Sequence, residues 1–321
     1  MPRPATLRLG TRGSQLALWQ ARTVAERLVE SGGPPCEIVV IKTSGDQLQA
    51  APLSEVGGKR LFVKEIEDAL LRHEIDLAVH SSKDMPALLP EGLSIAGVLP
   101  REDPLDAIVL PAASAETPAS TIEALIATLG QTPKIGTGSV RRIAQLTRLW
   151  PNAHFSPIRG NLDTRLRKLD EGDHDALVLA AAGLRRLGFA SRISLAIPAS
   201  ACVPAPGQGI VAVEVRSDDA RVAGAVARID DHRAHVALVA ERAVVEALGG
   251  GCQTPIGALA VPIDDASFEI VAVVVAVDGS RAVRASGRGP VGDAASIGAK
   301  VAARLIADGA AEILENLESH D

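Results

Sequence analysis

Leu7-Arg8-Leu9-Gly10-Thr11-Arg12-Gly13-Ser14 and Lys134-Ile135-Gly136-Thr137-Gly138-Ser139-Val140-Arg141-Arg142 share one design: a short strand, a turn built on Thr and Gly, and arginine beside the start of a helix. After the first, Ala17, Ala21, Val24, Ala25 and Leu28 recur at helical spacing, with Ser14 placed to cap the helix. After the second, residues 140–150 form a helix whose first turn carries Arg141 and Arg142. A strand running into a helix N-terminus presents free N–H groups and a helix dipole, and both favour an anion. The residues alone leave two readings of Arg12 open: part of such an anion site, or a solvated arginine on a plain βα unit.

Working outward, the same alternation continues. Residues 36–42 form a buried parallel strand with Thr43-Ser44-Gly45-Asp46 as its end loop, residues 61–73 a helix buried on Ile66, Ala69 and Leu70, and residues 75–79 the next strand. That strand ends in His80-Ser81-Ser82-Lys83-Asp84-Met85-Pro86, and α/β sheets place ligands at the carboxyl ends of their parallel strands. Lys83 and Asp84 either serve different groups of one ligand or form a solvated loop ahead of Pro86. Strands at residues 93–99 and 106–110 flank Arg101-Glu102-Asp103-Pro104, a crossover into a second domain, and residues 111–120 form a surface loop. Further strands at residues 154–159 and 175–180 and a short helix bearing Arg185 and Arg186 complete that domain. Val203-Pro204-Ala205-Pro206-Gly207-Gln208-Gly209 is a rigid return crossover before a strand at residues 210–215. Helices at residues 219–229 and 232–248 follow, then apolar segments at 256–261, 268–277 and 281–286, and helical sequence from 294 to 317. These last elements suggest a small α+β C-terminal domain.

Composition narrows the function. The chain has 321 residues, enough for two or three domains, and a formal charge of −6. Aromatics make up 2% and tyrosine is absent, which argues against stacking platforms for bases. Between Lys134 and Arg192, however, eleven Lys or Arg stand against five Asp or Glu, a local +6, and 26 of the 33 basic residues in the chain are arginine. Arginine binds carboxylate or phosphate bidentately. Solvated helix faces account for Arg148, Arg167 and Lys168, but poorly for Arg141, Arg142, Arg159 and Arg165, which sit where strands end or helices begin. A small polyanionic ligand accounts for them better, and nonspecific nucleic-acid binding is disfavoured.

Leu248-Gly249-Gly250-Gly251-Cys252-Gln253-Thr254-Pro255-Ile256-Gly257 holds a cysteine on a glycine-rich loop: either a turn with an incidental thiol or an exposed reactive one. Cys36, Cys202 and Cys252 are far apart and lack CxxC spacing, so no disulfide framework or zinc cluster is expected, and Cys36 and Cys202 are read as buried structural thiols. His232 and His235 share a helix face without an obvious third ligand, so no metal is expected. No signal peptide and no run of about 20 uncharged apolar residues is found, so a soluble cytoplasmic protein is expected.

Taken together, these segments resemble the porphobilinogen deaminase family, also called hydroxymethylbilane synthases, nearly end to end. The resemblance rests on Thr11-Arg12-x-Ser14 with Leu16-Ala17-Leu18-Trp19-Gln20, Gly57-Gly58-Lys59 with Leu61-Phe62-Val63-Lys64-Glu65, and Ala78-Val79-His80-Ser81-Ser82-Lys83-Asp84. It continues through Gly136-Thr137-x-Ser139-x-Arg141-Arg142, Arg159-Gly160-Asn161-x-x-Thr164-Arg165 and Ala182-Gly183-Leu184-x-Arg186-Leu187-Gly188. Pro204-Ala205-x-Gly207-Gln208-Gly209 and Gly250-Gly251-Cys252-Gln253-x-Pro255-Ile256-Gly257 complete eight motifs in family order.

The resemblance implies an α/β protein of three domains: residues 1–104 with 205–228, residues 105–204, and residues 229–321. The first two would resemble periplasmic binding proteins hinged around a cleft, and the third, α+β, would carry a dipyrromethane cofactor in thioether linkage to Cys252. It implies a transferase that adds four porphobilinogens head to tail to this primer, losing ammonia each time, and then hydrolyses off hydroxymethylbilane. Its implied cofactor-binding residues are Cys252, Lys83, Asp84, Thr137, Ser139, Arg141, Arg142 and Gly160. Those implied to bind substrate and the growing oligopyrrole are Arg12, Ser14, Lys59, Arg159, Arg165, Arg186 and Gln208, and Asp84 is the implied catalytic group. A cytoplasmic monomer without nucleic-acid or membrane partners is expected. Glu55 and Ser44 depart from the family pattern and receive no role. The competing classes are a two-domain anion receptor and an inactive homologue; Asp84 and Cys252, both present, weigh against the latter.

Overall fold

A computed structural model describes residues 6–47, 63–114, 121–250 and 254–318. The chain divides into two compact units, Met1–Glu102 with Ile210–His235, and Asp103–Gly209 with Val236–Asp321.

The first unit begins β1 (Leu7–Thr11), α1 (Gln15–Glu30), β2 (Cys36–Val40), α2 (Ser44–Gln47), α3 (Lys64–Leu71), β3 (Leu77–Ser81) and β4 (Leu93–Val98). The chain then builds β5 (Asp106–Val109), α4 (Ile122–Leu129), β6 (Lys134–Gly136), α5 (Val140–Leu149), β7 (His154–Ser156), α6 (Leu162–Asp170), β8 (Ala176–Ala180), α7 (Ala181–Arg186) and β9 (Leu195–Ile197) in the second unit. It returns to the first for β10 (Val211–Arg216) and α8 (Ala220–Val226). The unit boundary falls inside α9 (His232–Ala247), beyond which come β11 (Ile256–Pro262), β12 (Ser267–Val275), β13 (Ala282–Pro290), α10 (Ala294–Ala307) and α11 (Ala310–Glu318).

The two five-stranded sheets share one topology, β2-β1-β3-β10-β4 in the first unit and β7-β6-β8-β5-β9 in the second. In each, the strand in fourth place arrives from the other unit and runs antiparallel to both neighbours, while the first three strands are parallel. Each sheet is buried on both faces. Leu7, Leu9, Val24 and Val213 pack on one side of the first, and Ile66, Leu70 and Ala78 on the other. Ile135, Leu146 and Val178 fill one side of the second, with Leu166, Leu177 and Leu184 opposite.

The repeated Gly-Thr pair is fixed by packing. A Cβ on Gly10 would collide with Ile75 Cδ1, and one on Gly136 with Leu177 Cδ2, so each first parallel strand needs glycine where the side chain of its neighbour crosses it. Thr11 and Thr137, the next residues, are both buried. The antiparallel sheet β11-β12-β13 packs Phe268, Ile270 and Val274 against α9, α10 and α11. Its other face, Leu259, Val273 and Val275, packs on Ala144 and Val203.

Three expectations need correction, and two elements were not expected. Residues 122–129 are helical, and residues 195–197 form an additional strand. The strand expected at residues 154–159 ends at Ser156, because Pro157 has no N–H to continue the ladder. The C-terminal helix divides after Ala307, where Gly309 takes a φ of +96°. Cys36 is half-buried, since β2 lies at a sheet edge.

Candidate functional site

Ser14 caps α1 as its spacing predicts, its Oγ accepting from Ala17 N at 3.2 Å. Arg12 lies in the same turn, at the carboxyl end of β1, and is partly exposed. On the adjacent strand β3, Lys83 and Asp84 occupy a 3-10 turn, Ser82–Asp84, at the equivalent end. This turn is held from three sides. Ser82 N donates to Ile210 O at 3.0 Å, Met85 N to Ser82 O at 3.1 Å, and Gln20 of α1 reaches Ser81 Oγ at 2.9 Å. Ser82 itself is buried, and its Oγ has no hydrogen-bond partner among the described residues. Beneath the turn, His80 Nε2 lies 3.1 Å from Glu214 Oε2 on β10, and both side chains are buried. Ser44 takes a local role: its N–H and hydroxyl both donate to Glu65 Oε1, tying α2 to α3.

In the second unit, the start of α5 is built around a carboxylate that sequence reasoning missed. Asp106, fully buried at the start of β5, accepts from Arg141 Nη1 at 2.7 Å and lies 2.8 Å from Arg142 Nη2. Arg142 Nε donates to it at 2.9 Å, and so does Gln208 Nε2. Burial alone would raise the Asp106 pKa, but the charges of Arg141 and Arg142, and the bonds from Arg141 and Gln208, outweigh it and hold the carboxyl far below the usual range. Each arginine also reaches backbone: Arg141 Nη1 donates to Val203 O at 2.7 Å and Arg142 Nη1 to Val178 O at 2.8 Å. Cys202 packs against the same group, its Sγ 3.5 Å from Asp106 Oδ2, and burial pushes its thiol up to about 12. With a neutral thiol, two guanidinium groups and one carboxylate leave one net positive charge in a dry setting. Arg141 Nε has no partner among the described residues.

The other expected residues of this unit lie near the same sheet edge. Thr137 is buried, its Oγ1 accepting from Ser139 N at 3.3 Å. Beyond β7, Arg159 is partly exposed, and Arg165 Nε donates to Gly160 O at 2.8 Å. Arg186, ending α7, donates to Gly209 O at 2.7 Å. Arg148, expected on a solvated face, is exposed, and it also donates to Gly279 O at 2.7 Å. His235 is hydrogen-bonded to Asp230 at 2.9 Å, and no group of three metal-ligating side chains occurs among the described residues. Lys59, Glu55 and Cys252 lie outside the described residues.

The donor set fits a ligand rich in carboxylates such as dipyrromethane. Each unit offers such donors by itself: the first has arginine, lysine and hydroxyl groups at the carboxyl edge of its sheet, with capacity left on the buried Ser82 hydroxyl, and the second has a net-positive arginine cluster whose Arg141 Nε still has capacity. No described helix is long and apolar enough to cross a membrane.

Comparison with known proteins agrees with this chemistry. A family model described as porphobilinogen deaminase, dipyromethane cofactor binding domain, matches residues 7–224, and one described as the porphobilinogen deaminase C-terminal domain matches residues 236–307. Porphobilinogen deaminase of Syntrophobacter fumaroxidans is 43% identical over 312 residues, covering 97% of each chain. That of Geobacter sulfurreducens is 45% identical over 309 residues, 96% of this chain and 93% of that protein. Among solved structures, the periplasmic VFT2 domain of Bordetella pertussis BvgS aligns with a TM-score of 0.40 at 17% identity, covering 70% of this chain and 86% of that one. With two family models spanning nearly its whole length and relatives at this identity, the chain belongs to the porphobilinogen deaminase family.

Proposed function

We infer that the protein joins four porphobilinogen molecules head to tail, releasing ammonia at each addition, and frees the linear tetrapyrrole hydroxymethylbilane by hydrolysis. The observation that carries this reading is the net-positive Arg141, Arg142 and Asp106 group at the carboxyl edge of a sheet in an otherwise acidic chain. Each porphobilinogen brings an acetate and a propionate, so a growing chain accumulates carboxylates that such donors recognise. Dipyrromethane, when bound through Cys252, supplies the free pyrrole α-carbon to which the first unit is joined.

The roles of individual residues follow from charge and placement. Lys83, Thr137, Ser139, Arg141, Arg142 and Gly160 are assigned to the carboxylates of the bound primer. Arg12, Ser14, Lys59, Arg159, Arg165, Arg186 and Gln208 are assigned to incoming substrate and the lengthening chain. Asp84 accepts hydrogen bonds from pyrrole N–H groups and offsets the positive charge that develops as the C–N bond to ammonia breaks. It also takes part in the proton transfers that follow C–C bond formation.

The same reading divides the chain into three domains, residues 1–104 with 205–228, residues 105–204, and residues 229–321. Separate hydrophobic clusters and separate family matches support that division. It also makes the protein a cytoplasmic monomer, to be checked by its mass in solution.

The decisive test is intact mass spectrometry of active protein. Two pyrrole units above the polypeptide mass are expected, and their loss together with all activity in Cys252→Ser. The bare polypeptide mass in an active preparation would refute the covalent primer, whereas a receptor would show neither the added mass nor turnover.

A further inference from the structure

Asp106 is a fully buried carboxylate to which the proposed reaction gives no direct contact with substrate. Three observations set it apart. It lies between two guanidinium groups that would otherwise repel, at 2.7 Å from one and 2.8 Å from the other. It leaves that pair with one net positive charge instead of two. It is also connected to both passages of chain that link the five-stranded sheets: Gln208 Nε2 joins Asp106 Oδ1 at 2.9 Å to Pro104 O at 2.7 Å, and Arg141 Nη1 joins it to Val203 O. Gln145 holds Val203 from the same helix, donating to its carbonyl at 3.0 Å and accepting from its N–H at 2.7 Å.

We propose that Asp106 is a positioning residue for this reaction: it fixes the direction of the Arg141 and Arg142 guanidinium groups and sets their joint charge, so that a pyrrole carboxylate is held in one register. A pair at plus two, with each guanidinium held only by its backbone carbonyl, Val203 O or Val178 O, would bind carboxylates at least as strongly but in several poses, and only one pose aligns the reacting carbon. The proposal rests on the reading that these arginines bind carboxylates.

Asp106→Asn keeps the shape and one acceptor oxygen while removing the charge. In the holoenzyme, with the loaded fraction counted by intact mass, kcat per loaded molecule should fall about tenfold or more while KM for porphobilinogen stays level or falls. A merely structural role would lower the loaded fraction and leave kcat per loaded molecule unchanged, and that result overturns the proposal. A second readout needs no activity. In the holoprotein, the Cys202 thiol, followed by its thiolate absorbance against a Cys202→Ala control, should titrate lower in Asp106→Asn than with Asp106 in place, because burial, the main cause of its raised value, stays while the charge of Asp106, a further cause, is gone. An unmoved titration shows that Asp106 does not set the charge. Should Asp106→Asn fail to fold, Asp106→Glu, which keeps the charge but moves it by one methylene, should lower kcat per loaded molecule about threefold or more with KM little changed, and an unchanged kcat overturns the proposal. Arg141→Lys and Arg142→Lys form a separate arm. If both leave loading, kcat and KM intact, the carboxylate-binding reading itself fails; if they impair the enzyme while Asp106→Asn does not, only the positioning role fails.

Discussion

Asp84, assigned above to the catalytic step, has the two properties that the assignment requires: a carboxylate, and a rigid seat. It closes the turn Ser82–Asp84, which is anchored to β10 through Ile210 O and to α1 through Gln20. A fixed negative charge stabilises a developing cation without reorganising during the reaction. Asp84→Asn keeps an acceptor but loses the charge, so kcat should fall by about 10²–10³ while the two-pyrrole mass is retained. Steady-state assays paired with intact mass measure both, and a near-normal rate would remove Asp84 from the role. The place of Asp84 and Lys83 at the end of β3 was legible in the sequence because they stand in a polar run after an apolar strand. Asp106 was not. In the sequence it is only the first residue of the strand expected at 106–110, and its partners lie 35 and 36 residues away on another element, a pairing that only the fold reveals. Arg141 and Arg142 were legible as non-solvated, but the acid between them was invisible.

At the scale of elements, the strand-turn-helix units were readable because period, turn chemistry and capping agreed at Leu7–Thr11 and Lys134–Gly136. Helix α4 escaped notice because a Pro-, Ala-, Ser- and Thr-rich loop precedes it, although Thr121 supplies an N-cap signal, its Oγ1 accepting from Ala124 N at 3.1 Å. Strand β9 is three residues long, too short for any alternation to register. The shared sheet order was also hidden, since the antiparallel fourth strand of each sheet comes from a distant part of the chain. That topology makes β6 a sensitive element. A Cβ at Gly136 would meet Leu177 Cδ2 and lie 3.0 Å from the His174 ring, both in a packed layer. Gly136→Ala should therefore destabilise the protein by about 1–3 kcal/mol, read as a lower midpoint in urea unfolding. Because Thr137 and Ser139 follow directly, the loaded fraction should fall with it. An unchanged midpoint would mean that the layer has slack the packing does not suggest.

For the whole molecule the question is which charge a substrate feels, the −6 of the chain or the +6 of residues 134–192. Porphobilinogen carries two carboxylates and one ammonium, so the two cases differ in sign. If net charge governs approach, the protein repels the substrate and added salt should lower KM. If the arginine-rich segment governs, salt should raise it. Salt reduces the screening length from about 10 Å at 0.1 M to about 3 Å at 1 M, so partly exposed donors such as Arg12 and Arg159 lose most of their reach. Arg141 and Arg142 are 4% and 7% exposed and already paired with Asp106, so the hold on the primer assigned to them above would be screened far less. The expected result is a KM that rises roughly two- to fivefold between 0.1 M and 1 M salt, with the loaded fraction unchanged by intact mass. Loss of the primer at high salt would place its carboxylates on exposed donors instead of the buried pair. A falling KM would mean that the local arginine field does not reach the substrate at all.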